Sequence, residues 1–167
     1  MAGLNKITIH WTAGGNYPNA HDKACYHFLI DKDGNVIAGT HKPESNINCN
    51  DGDYAPHCGG GNTGNIGISM CGMAGFTSRA NVGKYPLTAK QFEACCKKVA
   101  ELCLRYNIPI NDKSVFTHME FGKSHPNTSS SGKIDICYLP HQPQLKSNEI
   151  GTYIRNKVLW YYYKLKG

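Results

Sequence analysis

The sequence predicts an α/β or α+β domain with a central sheet. That prediction rests on short apolar segments with the two-residue alternation of strands, and on two longer segments with apolar residues at helical spacing. Turn-forming residues separate them without a fixed period. At 167 residues the chain suits one compact domain and is too short for two ordinary ones. A domain of this size buries roughly 70% of the surface its unfolded chain exposes, so it needs no disulfide or metal to hold together. A metal found in it is expected to be chemical rather than structural. Hydrophobic residues make up 40% and charged residues 18%, a balance that excludes a disordered chain.

Lys6 to Trp11 alternate, with Ile7, Ile9 and Trp11 on one face and Thr8 and His10 on the other, the pattern of a half-buried strand. Thr12 to Asp22 is turn-rich. Tyr26 to Ile30 and Asn35 to Ala38 read as two strands around Asp33-Gly34, a hairpin signal. Gly39 to Asn65 is a long irregular stretch, and loops of that length in compact domains are usually functional. Ile66 to Cys71 reads as a short strand and Gly72 to Pro86 as a loop. Leu87 to Tyr106 is the clearest helix, with Phe92, Cys95, Cys96, Val99, Leu102 and Cys103 at helical spacing. Thr88 and Gln91 supply a capping box, Leu87 staples onto Phe92, and Pro109 closes the segment. Ser114 to His118 reads as a strand and Gly122 to Gly132 as a flexible loop.

A last helix is expected over residues 148–165, where Ile150, Ile154, Val158, Tyr161 and Leu165 make an apolar stripe. The plain reading of that stripe is packing. The sharper one is a cationic amphipathic helix, with Trp160 to Tyr163 among lysines and arginine, in weak contact with an anionic envelope. No internal repeat or domain boundary is visible, so residues 1–167 read as a single domain.

Eighteen basic against twelve acidic residues leave a net charge of +6, which favours contact with a polyanion without identifying it. The absence of nucleic-acid motifs argues against DNA or RNA as that partner. The eight cysteines are expected to be free thiols, because three fall on the predicted helix and no C-x-x-C pair occurs. Met1 to Trp11 runs straight into a strand pattern without a secretory signal, and the longest apolar runs are too short for a membrane span. Synthesis in the cytoplasm is therefore expected.

Gly59-x-Gly61-x-x-Gly64 matches a dinucleotide-binding pattern by letter, but a strand follows it instead of a helix, so the match is set aside. The informative polar residues lie far apart in sequence: His10, His118, Lys133 and Asp135. Two imidazoles and one carboxylate from separate elements suit an open zinc site with water in the fourth position. Cys137 and His125 are alternatives to Asp135 as third ligand. His27 points away from its neighbour Tyr26 and reads as a core or surface histidine. His21, His41 and His141 read as surface residues in loops. Glu120 reads as an exposed carboxylate, or else as a group orienting a ligand histidine.

Five blocks in order, ITIHWTAGG, CYHFLIDKDGNVIAG, HCGGGNTGNIGISMCG, LTAKQFEACCKKVAELC and VFTHMEF with GKIDI, resemble the type-2 N-acetylmuramoyl-L-alanine amidases. That superfamily includes amidase-type phage endolysins and the peptidoglycan recognition proteins. The resemblance covers roughly residues 4 to 140 and is strongest to small phage or prophage lysis enzymes. It implies a central mixed β-sheet flanked by helices, and hydrolysis of the amide between N-acetylmuramic acid and L-alanine. It implies Zn2+ held by His10, His118 and Asp135, with Lys133 and Tyr26 as catalytic residues. It also implies that His57, with Gly59 to Asn62, lines the substrate groove. The implied partner is peptidoglycan, met by a monomer in the periplasm after release from the host cytoplasm. Two departures from the family pattern stand out. Ser69 and Cys71 occupy the strand where some members carry a glutamate that helps activate water, so that role passes to Tyr26 or another group. Ile136-Cys137 also stands where many members have Pro-Gly. A cytoplasmic wall-recycling amidase and a non-catalytic peptidoglycan-binding module are the alternative readings.

Overall fold

The computed structural model describes residues 3–167. Its strands are β1 (Lys6–Trp11), β2 (Phe28–Ile30), β3 (Val36–Ala38), β4 (Asn65–Met70) and β5 (Val115–Thr117). Its helices are α1 (Ala20–Cys25), α2 (Ala89–Tyr106), α3 (His118–Ser124) and α4 (Ile150–Lys166). The strands form one sheet in the order β3-β2-β4-β1-β5. β2, β4, β1 and β5 run parallel, and β3 pairs antiparallel with β2, so the sheet is mixed. The β2–β3 hairpin turns at Gly34, whose φ of 86° is a conformation that side chains other than hydrogen disfavour. The Asp31 carboxylate fixes the turn by accepting from the amides of Asp33 and Asn35.

One face of the sheet is apolar. Ile7, Ile9 and Trp11 of β1 and Ile66, Ile68 and Met70 of β4 pack beneath α2 and α4. Helix α2 contributes Phe92, Cys95, Cys96, Val99 and Cys103, and α4 contributes Ile150, Ile154 and Val158. The cysteines act here as small apolar residues, and all eight in the chain are free thiols. Thr88 caps α2 as expected, its hydroxyl accepting from the Gln91 amide while the Gln91 side chain accepts from the Thr88 amide. The helix begins at Ala89, not Leu87, because Thr88 has extended backbone. The packing reading of α4 holds for its first two turns and fails at the end, where Leu165 is exposed.

The other face is polar and equally buried, which corrects the half-buried reading of β1. Thr8, His10, Asn65 and Ser69 are all fully buried there. The irregular segment 39–65 supplies partners to Thr8, Asn65 and one nitrogen of His10, while the Ser69 hydroxyl has none among the described residues. The Thr8 hydroxyl donates to the Asn65 side chain, whose amide donates to the Gly61 carbonyl. His27 is a satisfied core histidine: one ring nitrogen accepts from the Gly67 amide, the other bonds Asn46, and burial lowers its pKa to about 4. The alternation along β1 therefore marks two chemically different interiors, not an interior and a solvent face.

Two short helices depart from the expected loops and strands. Asn19 and Asp22 form a capping box that starts α1 within the stretch read as turns. Thr117 and Glu120 form another that ends β5 and starts α3 at His118. Glu120 is neither exposed nor a partner of a ligand histidine. Its carboxylate accepts from the Thr117 amide and pairs with both terminal nitrogens of Arg155 on α4, at 2.9 and 3.0 Å. His141 is also not a surface residue; it is half-buried, with its ring 4.9 Å from that of Phe92. Among the described residues no helix is long and apolar enough to cross a membrane.

Candidate metal centre

His10 lies near the carboxyl end of β1, on the polar face. His118 opens α3 immediately after β5, the neighbour of β1. Asp135 comes from the segment that follows the 122–132 loop. Its main-chain carbonyl accepts from the Met119 amide at 2.7 Å, which ties this segment to the start of α3. Residues separated by up to 125 positions thus meet: His10 Nδ1 is 2.8 Å from one Asp135 oxygen, and His118 Nδ1 is 3.4 Å from the other. One donor atom from each residue lies within 4.8 Å of the others, and all three residues are buried.

This donor set fits a divalent metal. Two imidazole nitrogens and a carboxylate oxygen are the borderline-to-hard ligands of an open zinc-type site. In each histidine the second nitrogen is occupied elsewhere, His10 Nε2 against His57 Nδ1 at 3.1 Å and His118 Nε2 against the Ser130 hydroxyl at 2.9 Å. Only the Nδ1 atoms face Asp135. Burial opposes charge on His10 and lowers its pKa. Burial also opposes charge on His118, but its hydrogen bond to Asp135 prevails and raises its pKa to about 9. Burial pushes Asp135 upward, and its bonds to His10 and His118 outweigh this and hold it below the usual carboxylate range.

His118 and Asp135 line a cleft of about 390 Å³, walled by Trp11, Tyr26, Met73, Phe76 and Lys133, while His10 is fully buried. The Tyr26 ring stands 4.9 Å from the His10 ring. Burial, then the charge of Asp135, raise the Tyr26 pKa well above its ordinary value of 10, so its phenol keeps its proton. Lys133 is exposed at the rim. Asp135 is the only carboxylate among the described residues lining the cleft, and Ser69 sits beside His10 in register.

The remaining sequence-derived candidates are placed differently. His57 forms part of the floor, 5% exposed, and both its ring nitrogens are engaged within the protein. Asn62 does not reach this cleft. It accepts from the Cys58 amide and lines a separate, larger depression of about 1060 Å³ that contains none of the three metal-directed donors. His125 stacks on Phe121 at 3.9 Å, and Cys137 packs against the apolar core; neither joins the donor cluster. Ser130, which sequence reasoning passed over, anchors His118. Its serine-rich surroundings, TSSSG, carry no pattern that singles it out.

The family profile described as N-acetylmuramoyl-L-alanine amidase matches residues 2–135. Among solved structures, the chain is similar to a point mutant of PlyL, at 24% identity and a TM-score of 0.56, covering 95% of this chain and 86% of that one. It is similar also to the PlyG catalytic domain in solution, at 22% identity and a TM-score of 0.56, covering 96% of this chain and 83% of that one. These likenesses establish the fold. No sequence match is found among curated proteins.

Proposed function

Because the chain belongs to the N-acetylmuramoyl-L-alanine amidase family, we propose that it hydrolyses the amide between N-acetylmuramic acid and the L-alanine of the stem peptide, as a zinc enzyme and as a phage or prophage endolysin. The observation that carries the chemistry is the convergence of His10, His118 and Asp135, the last two lining an open cleft. A cation held there supplies Lewis acidity toward the scissile carbonyl and makes water more acidic. The chain's own residues do the rest. Lys133, at the rim, donates to the oxygen that gains charge as the amide carbonyl becomes tetrahedral. A donor so placed is typically worth about 3–4 kcal/mol. Tyr26, protonated and beside His10, hydrogen-bonds the attacking water and helps pass that water's proton toward the leaving amine, keeping its own phenol proton at the end of the step. Trp11, Met73 and Phe76 give the cleft an apolar wall for the sugar and peptide.

The endolysin reading draws on the net charge of +6 facing an anionic wall and on the resemblance to small lysis enzymes. In this reading the protein is made in the host cytoplasm and meets peptidoglycan in the periplasm after release. Metal analysis combined with turbidity loss on purified sacculi tests it. Zinc at one per chain is expected, with lysis abolished by chelation and restored by zinc. Undiminished cleavage after metal removal refutes the mechanism. Activity confined to soluble muropeptides points to recycling, and wall binding without cleavage to a recognition module.

A further inference from the structure

We propose that His57 and Ser130 are positioning residues that fix the tautomers of both histidine ligands, and that the glycine-rich segment 58–65 is their anchor. The inference rests on the metal-site reading and concerns residues outside the donor set. The proton positions follow from the hydrogen bonds. His57 Nε2 lies 2.9 Å from the Asn65 carbonyl, which only accepts, so this nitrogen carries the proton. His57 is buried and no carboxylate is among its hydrogen-bond partners, so the ring carries this one proton only. Its Nδ1 is therefore an acceptor, and His10 Nε2 must donate to it across 3.1 Å. That leaves the lone pair of His10 on Nδ1, facing Asp135.

The second chain has the same logic. The Ser130 hydroxyl donates to the Gly59 carbonyl at 2.7 Å, which uses its only proton. Its oxygen then accepts from His118 Nε2 at 2.9 Å, and the His118 lone pair also falls on Nδ1 once the metal replaces the proton there. The Cys58 thiol, 3.8 Å from Ser130, is a weaker partner than that carbonyl.

Both chains end on main-chain carbonyls at the two ends of one segment, Gly59 in the loop and Asn65 at the start of β4. This gives the HCGGGNTGN segment a role that its letter match to a nucleotide motif does not. A methyl group on Gly59 would collide with Ser129, the neighbour of Ser130, and one on Gly67 in β4 would collide with the His57 ring. Glycine at these two positions leaves room for the Ser130 loop and for His57.

The test combines zinc affinity, by chelator competition, with imidazole nitrogen NMR of the metal-free protein at about pH 10. In the parent protein both ligand histidines are expected to carry their proton on Nε2. Removing an orienting partner typically costs 10–100-fold in metal affinity. His57→Ala and Ser130→Ala are each expected to weaken zinc by roughly that factor and to give mixed tautomers at His10 and His118 respectively. His57→Asn places an amide oxygen near the Nδ1 position, and is expected to recover most of the affinity and the single tautomer. Unchanged zinc affinity and unchanged tautomers in both alanine variants would overturn the proposal, as would a proton on Nδ1 in the parent. A parent protein that binds no zinc refutes the metal reading instead, and the nitrogen spectra then still decide the tautomers. Ser130→Ala removes one hydroxyl, so this arm stands if His57→Ala fails to fold.

Discussion

Replacing Glu120 with alanine probes how the fold presents His118. The Glu120 carboxylate closes the capping box of α3 and forks onto Arg155, which also donates to the Val115 carbonyl at the start of β5. The Arg155 side chain is 12% exposed and that of Glu120 is 29%. Breaking a buried pair by deleting one partner costs about 3–5 kcal/mol, because the other charge stays buried alone. Partial exposure of Glu120 lets water reach the abandoned guanidinium, and loss of the cap adds about 1 kcal/mol. Together these give about 3 kcal/mol, or about 6–12 °C in Tm for a chain of this length. Urea unfolding of the metal-free protein measures it directly. Glu120→Gln, which keeps the cap acceptor, is expected to lose about half as much. Gly151→Ala should resemble Glu120→Ala, since its methyl would occupy the space of the carboxylate. A loss below about 0.5 kcal/mol in Glu120→Ala would show that the pair is an ordinary surface contact and refute the reasoning.

Lys133→Ala and Tyr26→Phe should each remove most turnover while zinc stays bound, and full activity in both would end the roles given to them. Zinc affinity should rise about tenfold per pH unit between about 7 and 9, then level off, because the metal must displace the proton that His118 holds up to about 9; isothermal titration in buffers of different ionisation heat counts that proton. The same raised value means that, in metal-free protein, the His118–Asp135 pair contributes its full stability below about 6.5 and loses it as pH rises through about 9. Thermal melts across that window should therefore fall in the metal-free protein and stay flat or rise with zinc present. At the end of α4, Trp160 and Tyr163 are exposed, and Lys164 lies 4.4 Å from the Trp160 ring. Trp160→Ala with Lys164→Glu should abolish any sedimentation with anionic vesicles while leaving stability within about 0.5 kcal/mol; retained sedimentation would exclude this patch as the lipid contact.

The strands, the hairpin and α2 were legible in the sequence because each has a local cause: alternation, Asp33-Gly34, a capping box before a helical stripe. The helices α1 and α3 have capping boxes too, yet they run for only six and seven residues. That is too short for a hydrophobic period to stand out from turn chemistry. The burial of β1 was misread for a deeper reason. A polar residue on a strand usually signals solvent, and here Thr8 and His10 are covered by chain that supplies their partners 57 and 47 residues later. The metal donors were visible as residue types, but spacing alone could not join His10 to Asp135. Only the parallel pairing of β1 with β5, and the Met119–Asp135 main-chain bond, bring their elements together. Ser130 and His57 were harder still. What they do depends on which atom donates and which accepts, and that is fixed by carbonyls of a loop whose course no local rule determines. Leaving a buried polar group unpaired is costly, so the same hydrogen bonds that let segment 39–65 cover the sheet also aim two imidazoles at one point.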